Sequence, residues 1–289
     1  MYFRGLNNNP RMIRKCIIAL LFIFSLANAI AQSAREQFEQ RKDVFLNNNI
    51  YVVYEGNAVL DSALKEGFSK FWTLKPISGF VTEKEAKKLI PDEHNSFIYV
   101  SHVSWTESRS SSGGRSTAAI FAFNGGKKNR DKYKLREESA SATHFDYFCN
   151  EKEFDKAAYR LPLMVADLQY DLNLKYDTVT VVPFNKRKVL IVNKDAMQGS
   201  GRRAGIRKDA MSAWPWKYEV KSAEEIGQLI RSRDNRYILL TSLLSDDGAV
   251  IKLHDLESMK KVALASRMAV MGLPWVRVKE MEKLVEKIQ

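Results

Sequence analysis

The sequence predicts an α/β protein made by tandem duplication of a β-α-β-α-β-β-β-α unit, with a mixed sheet and helices on its faces. One stretch, TEKEAKKLIPDEHNSFIYVS from Thr82, recurs without a gap as SAEEIGQLIRSRDNRYILLT from Ser222. Both copies are flanked by short apolar runs rich in β-branched and aromatic residues, which are typical of buried strands. A repeat of this length indicates two duplicated domains or half-domains and not a solenoid.

Each copy of the repeated stretch begins with a helix-capping signature. Thr82 and Ser222 are followed three residues later by Glu85 and Glu225, which is the spacing of a capping box. In that motif the hydroxyl accepts a hydrogen bond from the helix backbone, and the carboxylate accepts one from the backbone of the cap residue. We therefore expect a helix to begin directly after Thr82 and directly after Ser222.

The other elements of the first unit follow from hydrophobic periodicity and turn residues. A polar helix comes first, and helices and strands then alternate before a long hairpin and a closing helix. The predicted order is helix Ser33–Leu46, strand Ile50–Tyr54, helix Leu60–Trp72, strand Ile77–Val81, the capped helix, strand Phe97–Val100, strand Thr117–Phe123, a strand within Tyr133–Phe148, and a helix marked by Met164, Val165, Leu168 and Leu172.

The second unit repeats this order after a joining segment in which Val179–Val182 is a candidate extra edge strand. Trp72 and Trp214 end equivalent predicted helices, and this equivalence favours core packing over ligand contact. The predicted order is strand Lys188–Val192, helix Gly205–Trp214, strand Tyr218–Val220, the capped helix, strand Tyr237–Leu240, strand Ala249–Leu253, strand Lys261–Ser266, and a helix marked by Val278, Met281, Leu284, Val285 and Ile288.

The amino-terminal segment has the pattern of a secretory signal peptide. Basic residues precede an apolar run, Cys16–Leu26, and small residues follow at Ala27, Ala29 and Ala31. Cleavage is expected after Ala31 or Ala29; an uncleaved anchor is the alternative, but the run is shorter than the roughly 20 residues of a membrane span. We expect an exported chain, periplasmic or extracellular, with no transmembrane segment after cleavage. Its predicted parts are signal peptide 1–31, first repeat 32–176, linker 177–187 and second repeat 188–289.

The charge balance is basic, with a formal net charge of +12. The signal segment carries four of the positive charges and no acidic residue, which leaves +8 for the mature chain. This charge favours an anionic partner such as lipid headgroups, cell-wall polymer or phosphate, and solvated surface charge is the alternative. Nucleic acid is not an expected partner, because the chain is exported and has no basic motif interleaved with aromatic residues.

The mature chain keeps one cysteine, Cys149, and therefore can form no internal disulfide. We expect this thiol to be buried, with pairing to another chain as the alternative. Cys149 and His144 are the one nucleophile–base pair that lies close in sequence, and packing is favoured over catalysis for it. No metal site is predicted, because none of the histidines has a second ligand at helical spacing. Since no G-x-S-x-G elbow occurs either, we predict no catalytic residue and no cofactor.

The candidate ligand-binding segment is the loop Gly199–Gly205. It follows a predicted strand and precedes a predicted helix, a context in which backbone N–H groups and a helix N-terminus face a phosphate. Neighbouring arginines would add charge-assisted hydrogen bonds. The spacing is G-x-G-x-x-x-G and not the dinucleotide fingerprint, and a flexible surface insertion is the alternative. The candidate residues are Gly199, Gly201, Arg202, Arg203, Gly205 and Arg207.

The hairpin region Tyr237–Ser266, YILLTSLLSDDGAVIKLHDLESMKKVALAS, resembles part of the periplasmic α/β domains of the TolB amino-terminal and curli-secretion-channel type. In those domains a strand is followed by a polar turn and then by a pair of strands that form a hairpin. The resemblance covers this region alone and implies an envelope-located binding or scaffold domain. It carries no catalytic motif, and it assigns no functional residue to this chain.

These observations lead to two functional hypotheses. The first is an exported, non-enzymatic envelope protein that binds a protein partner or an anionic ligand through a cleft between the two copies. Export, duplication and the lack of a catalytic constellation favour it. The second is a binding protein or enzyme for a phosphorylated or sugar-like small molecule, with the loop Gly199–Gly205 as its anion-binding site.

Overall fold

The helices and strands of the chain fall into two units, each with its own five-stranded sheet. A computed structural model describes residues 32, 36–105, 115–126, 141–144, 158–173, 183–197, 205–245, 248–268 and 275–288. The first unit holds two strands and three helices in alternation, then a run of three strands and a closing helix. These are α1 (36–47), β1 (Asn49–Tyr54), α2 (Ala58–Phe71), β2 (Gly79–Thr82), α3 (Glu83–Leu89), β3 (Asn95–Trp105), β4 (Arg115–Asn124), β5 (Ser141–His144) and α4 (Leu161–Asn173).

The second unit follows the same plan, with a 3-10 helix in the place of α2 and one additional small sheet. Its elements are β6 (Val189–Asn193), α5 (Lys194–Met197), β7 (Gly205–Ile206), a 3-10 helix (Lys208–Ala213), β8 (Tyr218–Lys221), α6 (Ala223–Ser232), β9 (Tyr237–Ser245), β10 (Gly248–Asp255), β11 (Lys260–Met268), β12 (Trp275–Val276) and α7 (Val278–Glu286).

The two units contain separate five-stranded sheets with the same strand order. The first sheet runs β2-β1-β3-β4-β5, and the second runs β8-β6-β9-β10-β11. In each sheet the second strand in this order, β1 or β6, is parallel to both of its neighbours. The last three strands form two antiparallel pairs of neighbours. The α/β class with mixed sheets is therefore confirmed. The equal order is what a duplication would produce, and the duplication itself stays a prediction.

Both capping boxes form as the sequence indicates. The hydroxyl of Thr82 accepts from the backbone N–H of Glu85 at 3.3 Å, while Glu85 accepts from the backbone N–H of Thr82 at 2.8 Å. Ser222 and Glu225 repeat these two bonds at the same distances. Helices α3 and α6 therefore begin where the motif places them, directly after Thr82 and Ser222.

The helix that we predicted at Gly205–Trp214 does not form as an α-helix, and this prediction was wrong. Gly205 and Ile206 instead form β7, which pairs in parallel with β12. That pairing removes Gly205 and Ile206 from the predicted helix, and Lys208–Ala213 adopt the tighter 3-10 form between Arg207 and Trp214 as caps. Trp214 nevertheless ends this segment in a buried position, as Trp72 does after α2, so core packing of both tryptophans is confirmed.

Helix α4 packs against both sheets and joins the units. One face, with Leu161, Met164, Val165, Leu168 and Leu172, lies in the core between α2 and the first sheet. The opposite face carries Leu163 and Ala166 into a second core with Ile191 and Leu239 of the second sheet and Ile226 and Ile230 of α6. We call this second contact the seam. It is filled by packed side chains, so the binding cleft that we expected between the copies is not found among these residues.

Helices α2 and α4 approach closely at Gly67. A Cβ atom at this position would lie 3.1 Å from Cγ2 of Val165 and 3.3 Å from Cα of Pro162, which is tighter than ordinary side-chain contact. The missing side chain thus lets α4 sit deeply against the first unit. Within the described residues, every helix is too short or too polar to cross a bilayer.

Candidate functional site

Within the described part of the chain, a buried cluster of titratable side chains lies at the seam and centres on Asp167 of α4 and His254 of β10. The Nε2 atom of His254 is 3.0 Å from each oxygen of the Asp167 carboxylate. Asp167 shares its helix face with Leu163, because residues four apart on a helix are neighbours. The two side chains are 3% and 2% exposed, so the pair is shielded from solvent.

Two lysines of the second sheet extend this cluster. Lys252 Nζ lies 3.6 Å and Lys261 Nζ lies 4.0 Å from Oδ2 of Asp167. Burial by itself would raise the pKa of Asp167, but the facing His254, with help from the two lysines, holds the pKa of this carboxyl well below its usual range. Asp167 is therefore ionised at neutral pH, and its charge is compensated from the opposite unit.

The same cluster places a hydroxyl, an imidazole and a carboxylate in a row. Thr241 Oγ1 lies 3.3 Å from Nδ1 of His254, whose other ring nitrogen contacts Asp167. This is the order of groups in a nucleophile–base–acid triad. The imidazole is enclosed between α4 and the second sheet, however, and a substrate atom has no access to it. We interpret these three side chains as a contact that holds the two units together and not as a reactive site.

A groove opens on the first unit between the end of α2 and β2. Its volume is about 370 Å³, and its lining residues, which define the β2 groove, are Phe68, Ser69, Trp72, Thr73, Lys75, Pro76, Ile77 and Phe80. Aromatic rings form one wall, because Phe68 lies 5.4 Å from Trp72 and 6.4 Å from Phe80 between ring centroids. Tyr54 continues the wall by stacking on Phe80 at 5.5 Å.

The loop that closes the β2 groove is held by hydrogen bonds. The indole N–H of Trp72 donates to the carbonyl of Lys75 at 2.6 Å. The Lys75 ammonium in turn donates to the carbonyls of Asn47 and Asn48, at 2.9 and 2.7 Å. These hydrogen bonds therefore hold the loop on one side of the groove in place.

Strand β2 beside this groove is an edge strand within the described part of the chain, and it carries no charged side chain. Its sequence is Gly-Phe-Val-Thr, and it pairs with β1 on one side. The equivalent edge strand β8 is charged, since Glu219 accepts from Lys217 and Lys221 at 3.1 Å each. Charged side chains discourage the pairing of an edge strand with other chains. Of the two equivalent edges, β2 is thus the one open to a partner.

The residues that we predicted for ligand binding are only partly within the described residues. Gly205 lies in β7 and is buried, while Arg207 makes two hydrogen bonds with the carboxylate of Asp209, at 2.9 and 2.8 Å. No α-helix begins at this loop, so the helix N-terminus that the prediction required does not follow it. Four of the predicted residues lie outside the described residues, namely Gly199, Gly201, Arg202 and Arg203, and the anion-binding loop stays a prediction.

Several other predicted features also fall outside what the structure describes. Cys149 and the candidate strand Val179–Val182 are in this group. Within the described ranges, no three histidine, cysteine, aspartate or glutamate side chains come together as a metal site.

Sequence reasoning missed both the Asp167–His254 pair and the β2 groove. A signal for the pair was present, because Asp167 is a single charge inside the apolar run Leu161–Leu168 of a helix. A charge in such a position is rarely buried without a partner. The sequence holds no comparable signal for the groove, because aromatic residues in a helix and a strand are equally typical of a protein core.

Comparisons with models of protein families, with curated proteins and with solved structures found no match to this chain. The resemblance of the last hairpin to TolB-type and curli-channel-type domains therefore stays a prediction. What the protein binds must be inferred from the β2 groove, the edge strand and the seam themselves.

Proposed function

We propose that this chain is an exported, non-enzymatic envelope protein that binds an extended segment of a protein partner along β2. The observation that carries the proposal is the combination of an uncharged edge strand with an aromatic-walled groove directly beside it. Edge strands of this kind accept a further strand, which gains affinity from backbone hydrogen bonds and specificity from pockets for alternate side chains.

The backbone of β2 has free groups on its outer side for such a strand. The N–H of Asn49 donates to the carbonyl of His94, so odd-numbered residues of β1 bond to β3 and Val52 bonds to β2. Val52 pairs in parallel with Phe80, so it bonds to the flanking residues of β2, and the N–H and C=O of Phe80 point away from β1. Four residues of partner backbone would span β2 at about 3.3 Å per residue.

The β2 groove sets which side chains the partner should carry. Phe80 points into the groove, and partner residues on the same face of the extended sheet would point there as well. The volume of about 370 Å³ and the rings of Phe68 and Trp72 suit one large apolar or aromatic side chain. We therefore expect a partner segment with alternating residues, one of which is an aromatic or aliphatic anchor.

The seam favours binding over catalysis. Asp167 and His254 contact each other at 3.0 Å and are both buried, which supports a role in holding the units together and not in acting on a substrate. The signal-peptide pattern and the resemblance of the last hairpin support a location in the cell envelope.

Selection from a phage library of random heptapeptides on the mature chain, residues 32–289, would test this function. Selected peptides should contain an apolar anchor with alternating spacing, and they should bind Phe80→Pro about fivefold or more weakly than Phe80→Ala. Both variants lose the ring, but only Phe80→Pro also loses the outward N–H, a bond with a net value of about 1 kcal/mol.

Phe80→Ala is the matched control, because it removes the same ring and keeps the outward N–H. An empty selection, or peptides that bind Phe80→Pro as tightly as Phe80→Ala, would overturn the proposal.

A further inference from the structure

The second unit carries aromatic and basic side chains together at one end of its sheet. Strands β6 and β8 are parallel neighbours, with Leu190 opposite Tyr218, so the segments that lead into them lie side by side. These segments bring together Phe184, Lys186, Arg187, Trp216, Lys217 and Tyr218, which we call the aromatic–basic corner. Phe184 and Trp216 are half-buried, and Tyr218 is 41% exposed.

The rings of this corner rest on the core. Trp216 lies 4.8 Å from Phe184 and 5.0 Å from Trp214 between ring centroids, and Trp214 is buried. Trp214 and Trp216 meet at 74°, and Trp214 and Phe184 at 82°, so the rings pack edge to face. The exposed parts of Phe184 and Trp216 are thus held in place by the fold.

The cations of the corner exceed the acidic groups near it. Lys188 is bound to Asp255 and Glu257, and Glu219 is shared by Lys217 and Lys221. Lys186 contacts the ring of Trp216 at 5.8 Å, and Arg187 is exposed with no side-chain partner in the described part of the chain. The charge left over at the corner is therefore positive and sits next to the exposed rings.

We propose that the aromatic–basic corner docks on the surface of a bilayer that contains anionic phospholipid. Tryptophan and tyrosine favour the level of the lipid headgroups, where one part of the ring is apolar and the other is wet. Lysine and arginine beside them attract anionic headgroups, at about 1 kcal/mol for each charge near the surface. Together they supply the two signals that reversible attachment to a membrane requires.

The packing of the rings favours a lipid surface over single-stranded nucleic acid. A nucleic acid would need open ring faces on which bases can stack. Here Trp216 is in contact with Phe184, Trp214 and Lys186, which leaves its outer part for shallow insertion but no free platform for a base.

Flotation of the mature chain with vesicles tests the proposal. Binding to phosphatidylcholine vesicles that contain 30% phosphatidylglycerol should be readily detected at about 0.1 M salt, should fall at about 0.5 M salt because charges are screened, and should be weak on pure phosphatidylcholine. The double variant Lys186→Gln, Arg187→Gln should bind the anionic vesicles about tenfold or more weakly.

The control is Lys84→Gln, Lys88→Gln on α3, which removes the same net charge from exposed positions of the first unit. It should bind within about twofold of the parent. Equal loss in both variants would show that overall charge alone causes attraction, and it would overturn the proposal. Binding that is specific to single-stranded DNA and lost in the corner variant would also overturn it.

This proposal does not depend on the β2 groove. The variant Phe80→Pro should float with anionic vesicles as the parent does, and the corner variant should bind selected peptides normally. Failure of one surface is therefore distinguished from failure of the other by measuring both activities on the same proteins.

Discussion

Asp167 and His254 come from different units and meet at the seam, with His254 Nε2 3.0 Å from both oxygens of the Asp167 carboxylate. The surrounding apolar residues supply most of the stability there, because each fully buried leucine or isoleucine contributes about 1.5–3 kcal/mol. A buried ion pair has a small net value, since desolvation offsets attraction, but removing one partner is costly. The pair therefore fixes how α4 lies on the second sheet.

Replacing Asp167 with asparagine should lower the free energy of unfolding by about 3 kcal/mol. The substitution keeps the shape of the side chain and removes the charge that His254, Lys252 and Lys261 face. Urea denaturation of the parent and of Asp167→Asn measures the difference. Asp209→Asn is the control, because Asp209 pairs with Arg207 at the surface and should change stability by less than about 1 kcal/mol. Equal effects of the two variants would contradict a structural role for the seam pair.

The stability contributed by Asp167 should depend on pH in the acid range. The folded-state pKa of this carboxyl lies below its unfolded value of about 4. Its contribution is therefore fully present above about pH 4, and it is lost as the pH falls toward the folded-state pKa. The difference in unfolding free energy between the parent and Asp167→Asn should be smaller at pH 2.5 than at pH 5, because the Asp167 carboxylate loses its advantage as it is protonated in the unfolded chain. A constant difference across this whole range would rule out the assigned pKa shift.

The two equivalent tryptophans should respond differently to replacement by phenylalanine. Both are buried, so each change removes the same atoms from a packed site. Trp72 donates its indole N–H to Lys75, whereas the indole N–H of Trp214 has no hydrogen-bond partner among the described residues. Trp72→Phe should therefore cost about 1–2 kcal/mol more than Trp214→Phe, because it alone leaves a carbonyl unpaired. Thermal or urea unfolding checks this, and a larger cost at Trp214 would contradict the bonding that we describe.

The parts of the fold that could be read from the sequence are those fixed by neighbouring residues. The capping boxes at Thr82 and Ser222 depend on a spacing of three residues, and both form. The strand predicted at Ile50–Tyr54 is β1, which is buried because apolar β-branched residues fill it. Such patterns need no knowledge of the rest of the chain.

The parts that could not be read depend on contacts between distant residues. The predicted helix at Gly205–Trp214 was overridden when β7 paired with β12, about 70 residues away along the chain. The seam pair joins Asp167 and His254, which no local pattern connects. The sequence shows α4 as one apolar stripe, whereas its second face became visible only once the other sheet lay against it.

Because both sheets pack against α4, the stability of each half depends on the other. Unfolding of either sheet would expose one face of α4, with Leu163 or Leu168, to solvent. The other sheet would then lose part of its packing against this helix. The two halves should therefore unfold together in a single cooperative transition. A mutation in one sheet can therefore destabilise the other sheet by loosening α4, against which both sheets pack.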